Sequence, residues 1–273
     1  MTRILFNEIH TVEDAVLFLS NFLADYNLIL EDIPNFNFLN LENDSIYGCP
    51  GRSFDCDDTN LSRVIYYIVW HDLPEMELSE IGTGKKYRGD TLNTFNTVFS
   101  KDLSRAELLS DNNIQLLDEA ESFRSKCYSL GNFSLLPNLS IDGIENKSTT
   151  INLYRGNWLV WKDFYDKFLF ELKLCLSDSN NANAFLDELV KENSFYFNSI
   201  DTIEKFIDIN FLDSYTDKNT SQIKELFDVN FYLWKKNPGE YIRFARNYIN
   251  ISCNIIDERG EKIYRKLKTF FEQ

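Results

Sequence analysis

Histidine is nearly missing from this chain. Only His10 and His71 occur among 273 residues, which excludes a His-x-x-x-His zinc site and any three-histidine cage within one chain. Cysteine is scarce and poorly spaced for chemistry. The five cysteines stand at 49, 56, 127, 175 and 253, an odd number with no Cys-x-x-Cys, so neither a disulfide framework nor a zinc ribbon is expected. A Cys–His nucleophile pair would need long-range folding to assemble it. This usage fits a reducing cytoplasm, and Cys175, in an apolar helical stretch, reads as a small core hydrophobe. Long apolar runs are absent too. Leu28-Ile29-Leu30 and Ile65 to Trp70 fall far short of the roughly 18 residues needed to span a bilayer. Glu8, Glu13 and Asp14 near the start, without a small-residue cleavage site, argue against a signal peptide. No Gly-, Ser- or Pro-rich linker divides the chain. A single compact unit, 1–273, is therefore expected. Its subdivision would fall between residues 1–176, which bear the motifs, and a helical array at 182–273.

Positive charge is also short. Lys plus Arg is 28 against 43 for Asp plus Glu, a net charge of −15. Such a surface is repelled by nucleic-acid phosphates and anionic lipid unless its cations are segregated. The expected partner is a basic protein or a second copy of the chain, with no membrane and no duplex DNA. The one clearly basic stretch is Arg259, Lys262, Arg265, Lys266 and Lys268.

What the chain has in quantity is aromatic: 23 Phe, 14 Tyr and 4 Trp against 2 Met, which predicts an aromatic core. With 44% hydrophobic and 26% charged residues, global disorder is ruled out. Thr11 with Asp14 forms a capping-box pattern, and apolar residues at Val12, Ala15, Val16, Leu19, Phe22 and Leu23 predict a helix to about Tyr26. Residues 31–58 read as loop, with a strand near Phe36-Asn37-Phe38 as the alternative. A helix is expected from about Thr59 to Trp70, capped by Asp58 or Thr59. Gly82-Thr83-Gly84 and Arg88-Gly89-Asp90 read as turns. Residues 104–127 read as helical, broken near Asp111-Asn112-Asn113. Gly131 to Pro137 reads as a short strand, Asn138 to Thr150 as a polar loop, and Ile151 to Arg155 as a second strand. Trp158 to Leu176 is helical, with Phe164, Phe168, Leu172 and Cys175 on one stripe. Further helices are expected at 182–192, 200–211, 221–235, 239–256 and 259–272, with Pro238 suited to the first turn of the fourth. The fold class is thus mainly α (α or α+β), a helical domain with a small two-strand element around residues 130–155.

Few residues suggest chemistry. Asp55-Cys56-Asp57-Asp58 is the densest carboxylate cluster. It can hold magnesium, which prefers oxygen ligands, or it can cap the helix that follows and favour its positive end. Glu171 and Lys173, with Asp163 and Asp166 upstream, share residue types with metal-dependent nucleases. That pattern belongs on strands; on a helix the two side chains point about 200° apart. Tyr-Arg-Gly occurs at 87–89 and 154–156, as at the start of ADP-ribosyltransferase sites. No Ser-Thr-Ser strand and late Glu-x-Glu follow in register, so each arginine reads as one that pairs with a nearby acid beside a turn glycine. Arg155 reads as a structural arginine held by an acid and by backbone carbonyls, which a planar guanidinium suits better than lysine.

Two resemblances concern residues 127–176. Gly131-Asn132-Phe133-Ser134-Leu135-Leu136-Pro137-Asn138, then Asn152-Leu153-Tyr154-Arg155-Gly156, then Asp163-Phe164-Tyr165-Asp166 resemble an uncharacterised family of bacterial and prophage proteins with a GNF…LPN, N-x-YRG, D-x-(F/Y)-D core. Phe54-Asp55 and Tyr66 to Leu73 are similar to its N-terminal half. Together these cover about half the chain, and the family carries no assigned activity. Leu130 to Leu136 is also similar to the GNLTLL segment downstream of the catalytic histidine in some HNH-type restriction nucleases. Those proteins place an Asp-His pair upstream, whereas residues 75–130 here hold no histidine and His71 precedes Asp72.

Two functions follow as expectations. The first is a cytoplasmic, acidic protein-interaction protein without catalysis or cofactor, in phage–host conflict, binding through Glu42, Asp44, Asp55, Asp57 and Arg155. The second is a metal-dependent nuclease or phosphodiesterase using magnesium at Asp55, Asp57 and Asp58, with His71 as a further catalytic candidate.

Overall fold

The first helix begins where the sequence supplies its cap. The computed structural model describes residues 3–82, 84–91, 114–144, 147–151, 165–177, 180–217, 220, 222–226 and 238–272. In it α1 spans Val12–Asp25. The Asp14 N–H donates to Thr11 Oγ1 at 3.1 Å, and the Thr11 N–H donates to Asp14 Oδ2 at 3.0 Å. Each satisfies a donor that the helix end leaves open. Ala15, Phe18, Leu19 and Phe22 form its buried face.

The next thirty residues turn rather than extend. Leu30–Asn35 and Phe38–Leu41 are short 3-10 helices, so no strand forms at Phe36–Phe38. Asn37 Oδ1 takes the Leu39 N–H at 3.0 Å, a local bond that competes with strand pairing. Helix α2 spans Asn60–Val69. Its cap is Thr59, whose Oγ1 accepts from the Ser62 N–H at 3.0 Å.

Strand β1, Tyr87–Thr91, contains the Arg88-Gly89-Asp90 expected to turn. Helix α3 spans Ile114–Lys126; the expected break at 111–113 lies outside the described residues. Strand β2, Phe133–Pro137, forms where the sequence predicts one and pairs antiparallel with β1. Gly89 sits in a strand because its missing side chain makes room: a Cβ there would lie 2.1 Å from the Tyr66 ring. Asn138 to Thr150 is no plain loop. Strands β3, Ser140–Ile144, and β4, Lys147–Thr150, form an antiparallel pair. Such pairing uses backbone groups that a polar sequence carries as well as an apolar one. Of the strand expected at 151–155 only Ile151 is described, and it is not in a strand; Arg155 lies outside the described residues.

Helix α4 is described from Tyr165 to Leu176 and buries Tyr165, Phe168, Leu169, Leu172 and Cys175. Phe133, Leu135 and Phe168 are fully buried, and Ser134 Oγ lies 3.5 Å from the Tyr165 hydroxyl. Trp161, Asp163 and Phe164 lie outside the described residues. Helices α5, Ala184–Glu192, α6, Ser194–Phe197, and α7, Ile203–Ile209, follow. Residues 222–226 are not helical; Ile223 bridges Thr216, and the Lys224 N–H donates to the Tyr215 carbonyl at 2.8 Å.

The last two predicted helices are one. Helix α8 runs for 34 residues, Pro238–Phe271. Gly260 does not break it. It lies at a crossing where a Cβ on Gly131 would sit 1.9 Å from the Ile256 carbonyl oxygen, so only glycine at 131 lets the backbones meet. The fold is mainly α, with two two-stranded antiparallel sheets among the described residues. Buried side chains from Ile9 to Leu267 form one continuous core. Phe133 is central to it, with ring contacts to Phe38 at 5.1 Å and Tyr66 at 6.5 Å.

Candidate functional site

The acidic loop leads into α2 through a tight turn at Cys56–Asp58. Its carboxylates diverge. Asp58, 4% exposed, takes Arg52 Nη1 at 2.9 Å. Asp55 points to the sheet and meets Arg88 Nη2 of β1 at 3.3 Å. Asp57 is buried. Cys49 ties the loop from behind, its Sγ 3.4 Å from the carbonyls of Asp55 and Asp58. Among the described residues no three His, Cys, Asp or Glu side chains come together as metal ligands would. Burial, with Asp55 and Asp57 next to it, pushes the Cys56 thiol well above its ordinary range, the opposite of a nucleophile's tuning. All five cysteines are free thiols.

His71 does not join this group. It follows α2 while Asp58 precedes it, and ten helical residues separate them by roughly 15 Å. Its Nδ1 lies 3.0 Å from the Ile68 carbonyl and its Nε2 2.9 Å from Asp72. Its ring packs on Phe270 of α8.

The other acidic candidates divide. Glu42 is exposed. Asp44 is structural: Oδ1 accepts the N–H groups of Ile46 and Tyr47, each at 2.7 Å, and Oδ2 accepts the Tyr26 hydroxyl at 2.7 Å. Burial alone would raise its pKa, but these donations outweigh it and hold the carboxyl below its ordinary value. Glu31 accepts from the Tyr264 hydroxyl at 2.7 Å, and Asp32 from the Ile29 N–H at 2.9 Å. Much of the acidic loop therefore holds its own backbone or neighbouring elements in place.

The basic end of α8 is not a patch either. Arg259 is fully buried. Its guanidinium donates to the carbonyls of Gly131, Phe133 at 2.8 Å and Asn210 at 3.1 Å, and burial lowers its pKa to about 10. Lys262 pairs with Asp213, Arg265 with Glu261, Lys266 with Asp72 and Lys268 with Glu272. Elsewhere Lys126 meets Asp257 and Arg246 meets Glu119.

No protein-family profile, curated protein or solved structure matches the chain. Arg88 pairs with an acid as its motif predicts, here Asp55, whereas the residues that sequence reasoning missed are Arg52 and Arg259. Arg259 was visible only as one cation in a basic run; its neighbour Gly260, marking a close helix crossing, was the signal that could have singled it out. No helix among the described residues is long and apolar enough to cross a membrane.

Proposed function

We propose that the protein acts without catalysis, as an acidic cytoplasmic partner that docks on a basic protein in phage–host conflict. One observation carries the docking: the cations at the end of α8 are buried or each matched to a carboxylate, so the net charge of −15 is not offset there by a free basic face. Such a surface attracts basic proteins and repels phosphate backbones. The divergence of Asp55 and Asp58 toward separate arginines supports the absence of catalysis by that loop. The placement in phage–host conflict rests on the resemblance of residues 127–176 to prophage-borne proteins.

The test is to enrich the partner from a bacterial lysate, purify it and rebuild the complex from the two components. A basic partner is expected, with an association rate that falls several-fold as salt rises from about 50 to about 300 mM. Tight duplex-DNA binding at physiological salt would overturn this reading. So would a magnesium-dependent rise in Tm that disappears in Asp55→Asn, which would restore the phosphodiesterase.

A further inference from the structure

A cleft of opposite character opens among the described residues of this acidic chain. A cavity of about 390 Å³ opens beside the start of the chain and the acidic loop, lined by Leu5, Phe6, Ile46, Pro50, Arg52 and Arg63, with Asn7, Ser45 and Asn60 completing it. Two guanidiniums line it and no carboxylate does. The ion pair at its edge is oriented. The Arg52 side chain is 34% exposed while its partner Asp58 is 6% exposed. Nη1 holds the Asp58 carboxylate, and Nη2 donates to the Asp58 carbonyl at 3.0 Å and to Asn60 Oδ1 at 3.4 Å. The remaining donors of an oriented, partly exposed guanidinium are what the cleft offers. Arg63 has donors to spare. It carries five N–H donors; among the described residues it donates only to the Leu78 carbonyl, at 3.2 Å, and its guanidinium rests 4.9 Å from the centre of the Phe6 ring. Its Nε, close to Gly82, is buried without an acceptor.

Guanidinium forks match the planar geometry of carboxylate and phosphate oxygens. The volume lies at the small end of ligand-binding cavities, and a mostly apolar lining with a few placed polar groups is their usual form. Here Leu5, Phe6, Ile46 and Pro50 supply the apolar walls, and Asn7 and Ser45 the neutral hydrogen-bonding groups. We propose that this cleft binds a small organic oxyanion: a phosphate or carboxylate held between Arg52 and Arg63, on an apolar or ring-bearing body that fills the walls. The proposal is independent of the partner-docking reading.

The test is isothermal titration of the full-length protein with four probes: adenosine monophosphate, adenosine, benzoate and inorganic phosphate. Binding of adenosine monophosphate or benzoate, with none by adenosine, is the expected result. Which of the two binds decides between phosphate and carboxylate. Arg63→Gln can unfold the chain, because that side chain is largely buried. Asn7→Glu and Ser45→Glu are therefore the decisive variants. Both positions are exposed, and each substitution places a carboxylate at the cleft without touching either arginine. Each should weaken anion binding by about tenfold while leaving Tm unchanged. Equal binding of adenosine and its monophosphate, binding of inorganic phosphate alone, binding unaffected by both variants, or no binding by any probe would each overturn the proposal.

Discussion

The acidic loop at 31–58 and the basic end of α8 carry opposite charge, and both look like free charged surfaces when read as sequence. In the fold both are largely engaged, but over different ranges. Asp32 takes a backbone N–H three residues away, and Asp44 takes two within three residues. Arg259 reaches carbonyls 49 to 128 residues away in sequence, and Lys266 reaches Asp72 across 194. Side-chain length accounts for the contrast. A short carboxylate finds the N–H groups of its own turn first, whereas a long cation extends past its helix to another element. The division has exceptions on both sides, since Glu31 reaches the Tyr264 hydroxyl 233 residues away while Arg265 and Lys268 pair with carboxylates four residues away. Asp32 and Asp44 shape turns, and Arg259 and Lys266 join distant segments.

The strongest test of that contrast is Arg259. Replacing it with Ala leaves the carbonyls of Gly131, Phe133 and Asn210 without their donor and opens a void. The expected loss is about 3–5 kcal/mol in urea unfolding. Arg259→Lys should recover only a fraction of it, because one ammonium cannot reproduce a planar fork aimed at three carbonyls. Full recovery by Lys would mean that charge alone, not geometry, joins the segments. Gly131→Ala probes the same crossing from the other side. Its Cβ would collide with the Ile256 carbonyl, a backbone atom that cannot swing away, and about 2–3 kcal/mol should be lost through forced separation of the two segments.

These two positions also show what could be read in advance. Helix α1, its Thr11–Asp14 cap, a cap at Asp58 or Thr59 for α2 and strand β2 were legible, because each is set by residues within a few positions of one another. The pairing of β2 with Tyr87–Thr91 was not, because Arg88-Gly89-Asp90 has turn composition and Gly89 is there to admit the Tyr66 ring. The continuity of α8 through 257–258 was not legible either, because the close approach of Gly131 to Ile256 and Gly260 joins segments far apart in sequence. The candidate carboxylates were legible as a cluster but not as a site. An aspartate that caps a turn and one that binds a ligand have the same local sequence, and only the fold placed Arg52 and Arg88 beside them.

The local half of the comparison predicts a smaller loss. Asp44→Ala should cost about 2–3 kcal/mol, since two backbone N–H groups and the Tyr26 hydroxyl lose a charged acceptor. The pH dependence has a definite sign. Asp44 is held below its ordinary value in the fold, so its contribution is complete above the unfolded carboxyl's pKa near 4. It is lost as pH falls through the lower, folded value. The difference in stability between wild type and Asp44→Asn should therefore shrink in acid. An unchanged difference down to about pH 2 would show that hydrogen-bond geometry, not ionisation, is what the turn needs.

The smallest effect is expected where the long-range half of the comparison reaches the surface. Lys266 and Asp72 lie 3.2 Å apart, but their side chains are 36% and 68% exposed. Water and salt screen such a pair, and holding a lysine in one rotamer costs entropy, so the coupling should be about 0.2–1 kcal/mol. The measurement is a double-mutant cycle of Lys266→Gln and Asp72→Asn in urea, at low salt and again near 1 M. The coupling should fade at high salt, where the Debye length is about 3 Å. A coupling above about 2 kcal/mol that persists at high salt would mean the pair is shielded in solution. The end of α8 would then be fixed as firmly by Lys266 as by Arg259, and length of reach, not burial, would set the strength of the long-range contacts.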